Sequence, residues 1–555
     1  MNYAGLLRED EDMTERFDYI VVGGGSAGCV TAARLVRDHG ASVLLLEAGG
    51  TDDSPLFRMP AGFIKFLKGS RHLRFNESVP QSQLGGRKPV IPTARVLGGG
   101  STVNAMVYMR GQPSDFEAWQ EASGNEGNWD FPHLAPYFKR MERNEHLNNE
   151  MHGVDGPLAV SGHTHRVPVS HAFVSALQGY GVRFNPDFNG GDPYGVGYIQ
   201  LTKDGIRRCS AVDAFLRPVI ENPRLTVRTN CLVQKLEIEN GRAIGVTYSQ
   251  QGKRHQAFSE AEVIVCAGTF ETPKLLMLSG IGESRHLESH GIKVVSNLPG
   301  VGQNLHDHPE VGVVSSTKRR VGYMNEDVGL KMVLNGLQYV IFGSGPVASN
   351  GVEACAFLSP NGDTARPSIQ LFCVPSVYLD ADVKDVKPTD GLTLISCLVK
   401  PKSRGSVTLK STDHRDAPFI DPAYLTAPED LTSAVEAIKI SREILLKEPL
   451  RGLVQKELLP GNMTITNDDI AAYCRRTVKT GYHPVGTCRM GRDSDPMAVL
   501  NSNLQVKGID NLRVFDASVM PVVTSSNTNA TVMAVADKAV AMMMGETPLE
   551  PIALR

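Results

Sequence analysis

Apolar and polar positions alternate along this chain with two periods, and each period predicts a different element. In FDYIVVGGGSAGCVTAARLVRDHGASVLLLEAGG, Phe17 to Gly50, the β-branched run Ile20 to Val22 predicts a strand. Cys29, Ala32, Ala33 and Val36 then recur at i, i+3, i+4, i+7, the spacing of one helical face, and Gly40 stops that helix. A second strand ends at Glu47. Further on, LTLISCLVKPKSRGSVTLKS (Leu392 to Ser411) reads as two β-rich runs around a KSRG turn, and DLTSAVEAIKISREILL (Asp430 to Leu446) as an amphipathic helix. Ala530 to Met544 reads as an apolar helix. No window reaches the ~18 apolar residues of a membrane span.

Length changes this picture first. At 555 residues and 60.1 kDa the chain exceeds what one core organises, so two packed domains are expected. The 41% apolar and 21% charged residues are ordinary globular values. Fifty-seven basic against sixty acidic side chains give a net charge of -3 without a basic cluster, which argues against nucleic acid as a partner. Nine scattered cysteines with no C-x-x-C pair read as free thiols rather than a disulfide frame or a zinc site. Residues 1–16 are acidic and lack the apolar core of a secretion signal, so a cytoplasmic protein is expected, with 1–12 as a loose tail.

The chemistry begins in the first turn. Gly23, Gly25 and Gly28 form G-x-G-x-x-G between strand and helix, which lets backbone approach a pyrophosphate at the helix N-terminus. Glu47, nineteen residues after Gly28, is placed to accept ribose hydroxyls and disfavours a 2′-phosphate. NADP is therefore the least suited cofactor, while NAD and FAD both stay open. GYHPVGTCRMG, Gly481 to Gly491, holds one histidine, His483, in a loop rich in glycine. NLHDHPE places His306 and His308 around an aspartate, but no further ligands stand at metal-site spacing.

Longer segments decide between the cofactors. PTARVLGGGSTVNAMVYMRG (Pro92 to Gly111) and GTFETPKLLMLSGIG (Gly268 to Gly282) resemble the two signature segments of the glucose-methanol-choline (GMC) family of FAD-dependent oxidoreductases. LPGVGQNLHDHP and NLRVFDASVMPVVTSSNTNATVMAVADKAV are similar to further segments of that family, in its order. Arg74 and Asn76 depart from the aromatic residues of many relatives.

The resemblance implies an α/β fold: a Rossmann-type FAD-binding domain (15–160, 205–310 and 480–550) with an inserted α+β substrate domain (161–204 and 311–479) containing an antiparallel sheet. It implies FAD contacts from Gly23, Gly25, Gly28, Glu47, Gly99, Asn104, Val233, Asp516 and Asn529. Val103 stands where some relatives carry a flavin-bonded histidine, so the FAD is expected without a covalent link. His483 is implied as the base that takes the alcohol proton, and Asn527 as the group that holds the alcohol oxygen. Local structural roles are the alternatives: Asn527 or Thr528 as a helix N-cap, and Asp516 as a turn cap. Val374, Pro375, Tyr378 and Leu379 are candidate pocket residues. The expected reaction is oxidation of a primary alcohol, with electrons passed to a quinone, a carrier or oxygen. An oxidase releasing hydrogen peroxide and a flavin-containing hydroxynitrile lyase are the alternatives, and peripheral association with the inner membrane surface stays open.

Overall fold

Val43–Leu46 reads VLLL and is buried along its whole length, which a strand sustains only in a sheet covered on both faces. The computed structural model, which describes residues 15–378, 386–387 and 389–554, places it inside such a sheet. Strands Leu225–Arg228, Val43–Leu46, Glu15–Val22 and Lys253–Val265 lie side by side in parallel, and Leu512–Val514 adds a further parallel pairing to Lys253–Val265. Arg242–Gln250 and Cys231–Glu239 extend it as an antiparallel meander. Helices Ser26–His39 and Asn529–Met543 pack on this sheet, and Gly40 closes the first with a left-handed C-cap.

A second, seven-stranded sheet is antiparallel throughout. Its order is Val454–Leu459, Pro309–Thr317, Gly391–Leu398, Ile369–Val374, Ala354–Leu358 and Gly195–Tyr198, with Lys479–Thr480 also paired to the start of Pro309–Thr317. Helix Pro428–Leu445 covers one face and supplies Ala434, Val435, Ala437 and Ile438 to its core. The chain is thus mixed α/β, with antiparallel sheets beside the parallel one. Of the two β-rich runs around KSRG, which suit the antiparallel sheet, only the first joins it. Gly391–Leu398 stays in the large sheet, whereas Ser406–Thr408 pairs with Phe419–Asp421. The cause is local: the Asp430 carboxylate accepts from the amides of Lys402 and Ser403, holding the connection open instead of letting it close as a hairpin. The tail expected over 1–12 and the pocket candidate Leu379 lie outside the described residues.

The glycine turn is the tightest joint of the first sheet. A Cβ on Gly28 would stand 1.9 Å from the carbonyl oxygen of Gly23, so no side chain fits without moving the turn. Gly28→Ala is expected to cost about 1–3 kcal/mol of stability through that clash. An unchanged denaturation midpoint would show that the turn is free to open.

Candidate functional site

A cavity of about 1640 Å³ runs from the glycine turn to the face of the second sheet. It exceeds the roughly 300–1,000 Å³ of a single small-molecule site, leaving room for a dinucleotide and a substrate. Gly23, Gly25, Glu47 and Val233 line one end. Glu47 follows its strand directly, and its two oxygens accept from the amides of Gly24 at 2.8 Å and Gly49 at 2.6 Å. Burial pushes its carboxyl above the usual range, against those amides and Arg95. At Gly99, φ is +53° and a Cβ would meet the Cα of Gly25 at 2.7 Å, so two glycine turns meet back to back at this wall.

Two helix N-termini, carrying partial positive charge, open on the same cavity. The Ser26 hydroxyl of one donates to Asn529 Oδ1 of the other at 2.7 Å. The C-terminal helix starts at Asn529, one residue before the expected start, and Thr528 occupies its N-cap without a side-chain hydrogen bond. Asp516 also lines the cavity and caps two turns: Oδ2 accepts from the Gly268 amide and the Thr272 hydroxyl, Oδ1 from the Ser518 amide. Close-packed glycine turns without side chains, together with two positive helix ends, fit the pyrophosphate and ring system of FAD.

Asn104 and Val103 line the middle of the cavity. Asn104 is held from behind by a residue that sequence reasoning missed. The buried guanidinium of Arg208 donates to Asn104 Oδ1 and main-chain O, both at 2.6 Å, and to the carbonyls of Phe57 and Ser101. Burial without a contacting carboxylate lowers its pKa to about 9. Of the two departures, Arg74 donates to Glu271 at 2.6 Å, and buried Asn76 donates to Ile91 O and Thr93 Oγ1. Val374 and Tyr378 line the cavity, while Pro375 is not among its lining residues.

His483 and Asn527 meet on the same cavity. Two segments zip together antiparallel to bring the first into place: His306 and Val485 exchange both backbone hydrogen bonds, the Gly481 amide donates to His308 O, and Pro309 and Glu310 pair with Thr480 and Lys479. Tyr482 takes a left-handed φ of 65° and turns the chain so that His483 faces the cavity. Asn527 Nδ2 stands 3.1 Å from His483 Nε2. The Gln370 amide donates to Asn527 Oδ1 at 3.4 Å, which fixes the asparagine orientation and assigns Nδ2 as a donor to His483. Nε2 therefore carries a lone pair, and Nδ1–H donates to His308 Nδ1 at 3.0 Å. Burial lowers the His483 pKa to about 4, opposed only by Glu310.

The loop bearing Asn527 is tied equally firmly. Asp115 accepts from the Ser525 amide and hydroxyl, both at 2.6 Å, and His306 Nε2 accepts from the Val523 amide at 2.8 Å. His306 Nδ1 donates to Asn304 O, so His306 is a neutral structural ring whose pKa burial holds near 3. Between the two histidines of NLHDHPE, Asp307 accepts from the amides of His308 and His483 and from Tyr424 and Thr480; burial raises its pKa to about 6.

Past His483 the wall is apolar and aromatic, with Phe372, Val374, Ile395 and Tyr378. One ion pair interrupts it. Glu310 and Lys479 are opposite each other in register and bridge at 2.8 Å, each largely buried. Lys479 also lies over the Tyr378 and Tyr482 rings, and Cys397 donates to Glu310. Neither charge announces itself in the sequence, since only the folded register brings the two segments together.

Comparison with known proteins agrees with this geometry. Models of the GMC oxidoreductase family match residues 17–310 and 401–536. An alcohol dehydrogenase [acceptor] of Pseudomonas putida is 39% identical over 531 residues, covering 94% of this chain and 95% of that protein. An oxygen-dependent choline dehydrogenase of Sinorhizobium fredii is 38% identical, covering 96% of each. Among solved structures, pyridoxine 4-oxidase from Mesorbium loti superposes with a TM-score of 0.87 at 31% identity, covering 96% of this chain and 99% of that one. The chain belongs to the GMC oxidoreductase family and is an FAD-dependent oxidoreductase.

Buried neutral histidines give the site a pH signature. Burial holds His306 near 3 and His308 well below the usual range, so an unfolded chain with rings near 6.5 binds more protons as pH falls below that value. Each ring is then worth about 2 kcal/mol less stability at pH 5 than at pH 7.5. Asp307, raised to about 6, opposes them over part of this window but is one group against two. The thermal midpoint is expected to fall between pH 7.5 and pH 5; a flat profile would mean that water reaches these rings.

Proposed function

We propose that this chain oxidises a neutral primary alcohol to an aldehyde, with FAD held non-covalently. The observation that carries this reading is the convergence of His483 Nε2 and Asn527 Nδ2, 3.1 Å apart, on the cavity that the glycine turns cradle. FAD, when bound, supplies the hydride acceptor. The protein's own task is to place the alcohol and take its proton. Asn527 Nδ2, which bonds His483 Nε2 at 3.1 Å, donates to the alcohol oxygen without competing for the proton, and the Nε2 lone pair it then releases accepts that proton. Nδ1–H stays bonded to His308, so the ring gains charge without rotating. A purely structural role of Asn527 as an N-cap has no support in this geometry, since Thr528 holds that position.

In the same reading, the parallel sheet with Gly23, Gly25 and Gly28 is a Rossmann-type half, assembled from 15–160, 205–310 and 480–550. Residues 161–204 and 311–479 form the substrate half, whose antiparallel sheet supplies the cavity's apolar wall. Gly23, Gly25, Gly28, Glu47, Gly99, Asn104, Val233, Asp516 and Asn529 hold the cofactor. The absence of a nucleophile at Val103 supports a dissociable flavin. A cytoplasmic setting and a quinone or carrier as acceptor complete the proposal. Oxygen is the second reading, favoured by the name of the Sinorhizobium relative; peroxide formed at the rate of alcohol turnover would establish it.

The Glu310–Lys479 pair supports a neutral substrate. An unpaired carboxylate in this wall would attract a cation, whereas the paired one has its counter-charge already. Lys479→Met is expected to raise kcat/KM for choline relative to a neutral primary alcohol by about tenfold, the equivalent of 1.4 kcal/mol. The double variant Glu310→Gln/Lys479→Met should lose that gain. An unchanged ratio in both would remove the pair from substrate choice.

Anaerobic mixing with primary alcohols tests the chemistry itself. The flavin should bleach, and His483→Ala should slow bleaching by about 10²–10⁴ while retaining FAD. Asn527→Ala should lose less. A flavin that stays oxidised with every alcohol, while cyanohydrins are cleaved, would make the protein a lyase.

A further inference from the structure

Gly329–Phe342, GLKMVLNGLQYVIF, is an amphipathic helix turned inside out. Leu330, Val333, Leu334, Leu337, Val340 and Ile341 fall at i, i+3, i+4, i+7, i+10 and i+11, one continuous face, and each is 51–73% exposed. The opposite face carries the inward groups: Tyr339 is buried and donates to Ile206 O, and Asn335 donates to the Glu326 carbonyl and carboxylate. A surface helix of a protein surrounded by water shows the reverse arrangement. Over about 21 Å of helix length, the apolar stripe points away from the fold.

Its surroundings indicate what covers it. Lys65, Lys68, Lys331 and Arg320 are joined to the start of the helix through Asp327 and Glu326, and the exposed Lys318 and Arg319 precede Arg320 in the chain. Four cations meet Glu326, Asp327 and Asp390 there, and two more flank them in the chain, in a protein whose net charge is -3. An apolar stripe fringed by cations is complementary to a bilayer with anionic headgroups. A symmetric second copy fits less well, because a two-fold contact on the stripe would bring like cationic fringes together.

We propose that Gly329–Phe342 lies in the interface of an anionic lipid bilayer and docks the protein there. Val328 and Met332, at the start of this helix, line the same cavity as His483, together with Leu56 and Ile64, which are also exposed. Docking by the stripe sets the cavity mouth against the lipid, so that an apolar alcohol or quinone enters without crossing water. This last consequence rests on the proposed alcohol oxidation; the docking itself does not.

Flotation of the holoprotein with phosphatidylcholine–phosphatidylglycerol vesicles, against phosphatidylcholine alone, is the test. The protein should float with the anionic vesicles, and Leu337→Glu/Ile341→Glu should reduce the bound fraction about tenfold or more. Neither residue is among those lining the cavity, so FAD content and dye-linked alcohol turnover should remain at the parental level. Leu330→Gln/Val340→Gln provides a milder pair if the glutamates disturb folding, and should also weaken binding. A parent that does not float, or variants that float equally well, would overturn the proposal. So would a parent dimer that the variants dissociate, since a second copy would then own the stripe. Loss of turnover with flotation intact would count against the reading of the cavity and leave docking standing.

Discussion

One buried carboxylate holds the reacting end of the cavity together. Asp307 accepts from the amides of His308 and His483, from the Tyr424 hydroxyl and from the Thr480 hydroxyl, using both oxygens. Those four donors come from two sides of the antiparallel zip and from the loop leading to helix Pro428–Leu445. Burial pushes its pKa to about 6, so the charged form depends on keeping every donor, and any loosening invites a proton that abolishes the grip. The placement of His483 therefore depends on a group that never faces the cavity.

The other end depends on backbone rather than side chains. Gly23, Gly25 and Gly99 leave a cavity wall without Cβ atoms, Gly28 lets the turn behind it close, and the N-termini of Ser26–His39 and Asn529–Met543 converge on that wall through the Ser26–Asn529 hydrogen bond. These partial charges belong to the helices and cannot relax away, so an anionic group meets a field already in place. Arg208 extends the same logic with a side chain. It sits behind the Gly98–Asn104 loop and spends its donors on Phe57, Ser101 and Asn104, stiffening a wall that glycine alone would leave soft.

How much of this the sequence disclosed follows from the range of each interaction. The strand, turn and helix of Phe17 to Gly50 were legible because their signals are local. Glu47 was placed correctly at the turn, although its bonds to the Gly24 and Gly49 amides were not foreseeable. His483 and Asn527 could be named from their segments, but their 3.1 Å approach is a product of tertiary register. Glu310 and Lys479 carried no signal at all, since a charged residue in a loop or strand usually faces water and each partner lies far along the chain from the other. The KSRG runs misled for a related reason. Their pattern predicts strands correctly, while the choice of strand partner was made by Asp430, outside the pattern. The periodicity of Gly329–Phe342 likewise identifies a helix without saying which face turns outward.

Polarity along the cavity is graded, and the gradient has a consequence for catalysis. The glycine turns present amide dipoles, Asn104 and Val103 line the same cavity, and the part of the wall with Phe372, Ile395 and Tyr378 is aromatic and apolar, with Glu310 neutralised by Lys479. A base near such a wall keeps its lone pair at neutral pH, because the same burial that lowers the His483 pKa also removes water that could protonate it. The cost is that an imidazolium formed there has little solvation, and only Glu310 and the bond to His308 oppose that cost. In the proposed reaction, proton capture at Nε2 is thus uphill and is coupled to departure of hydride from the carbon that bears the alcohol oxygen, which turns an unfavourable acid–base step into part of a favourable redox one. The apolar wall preserves this arrangement, whereas water entering the cavity would hydrate the ring and erase the difference on which that coupling depends.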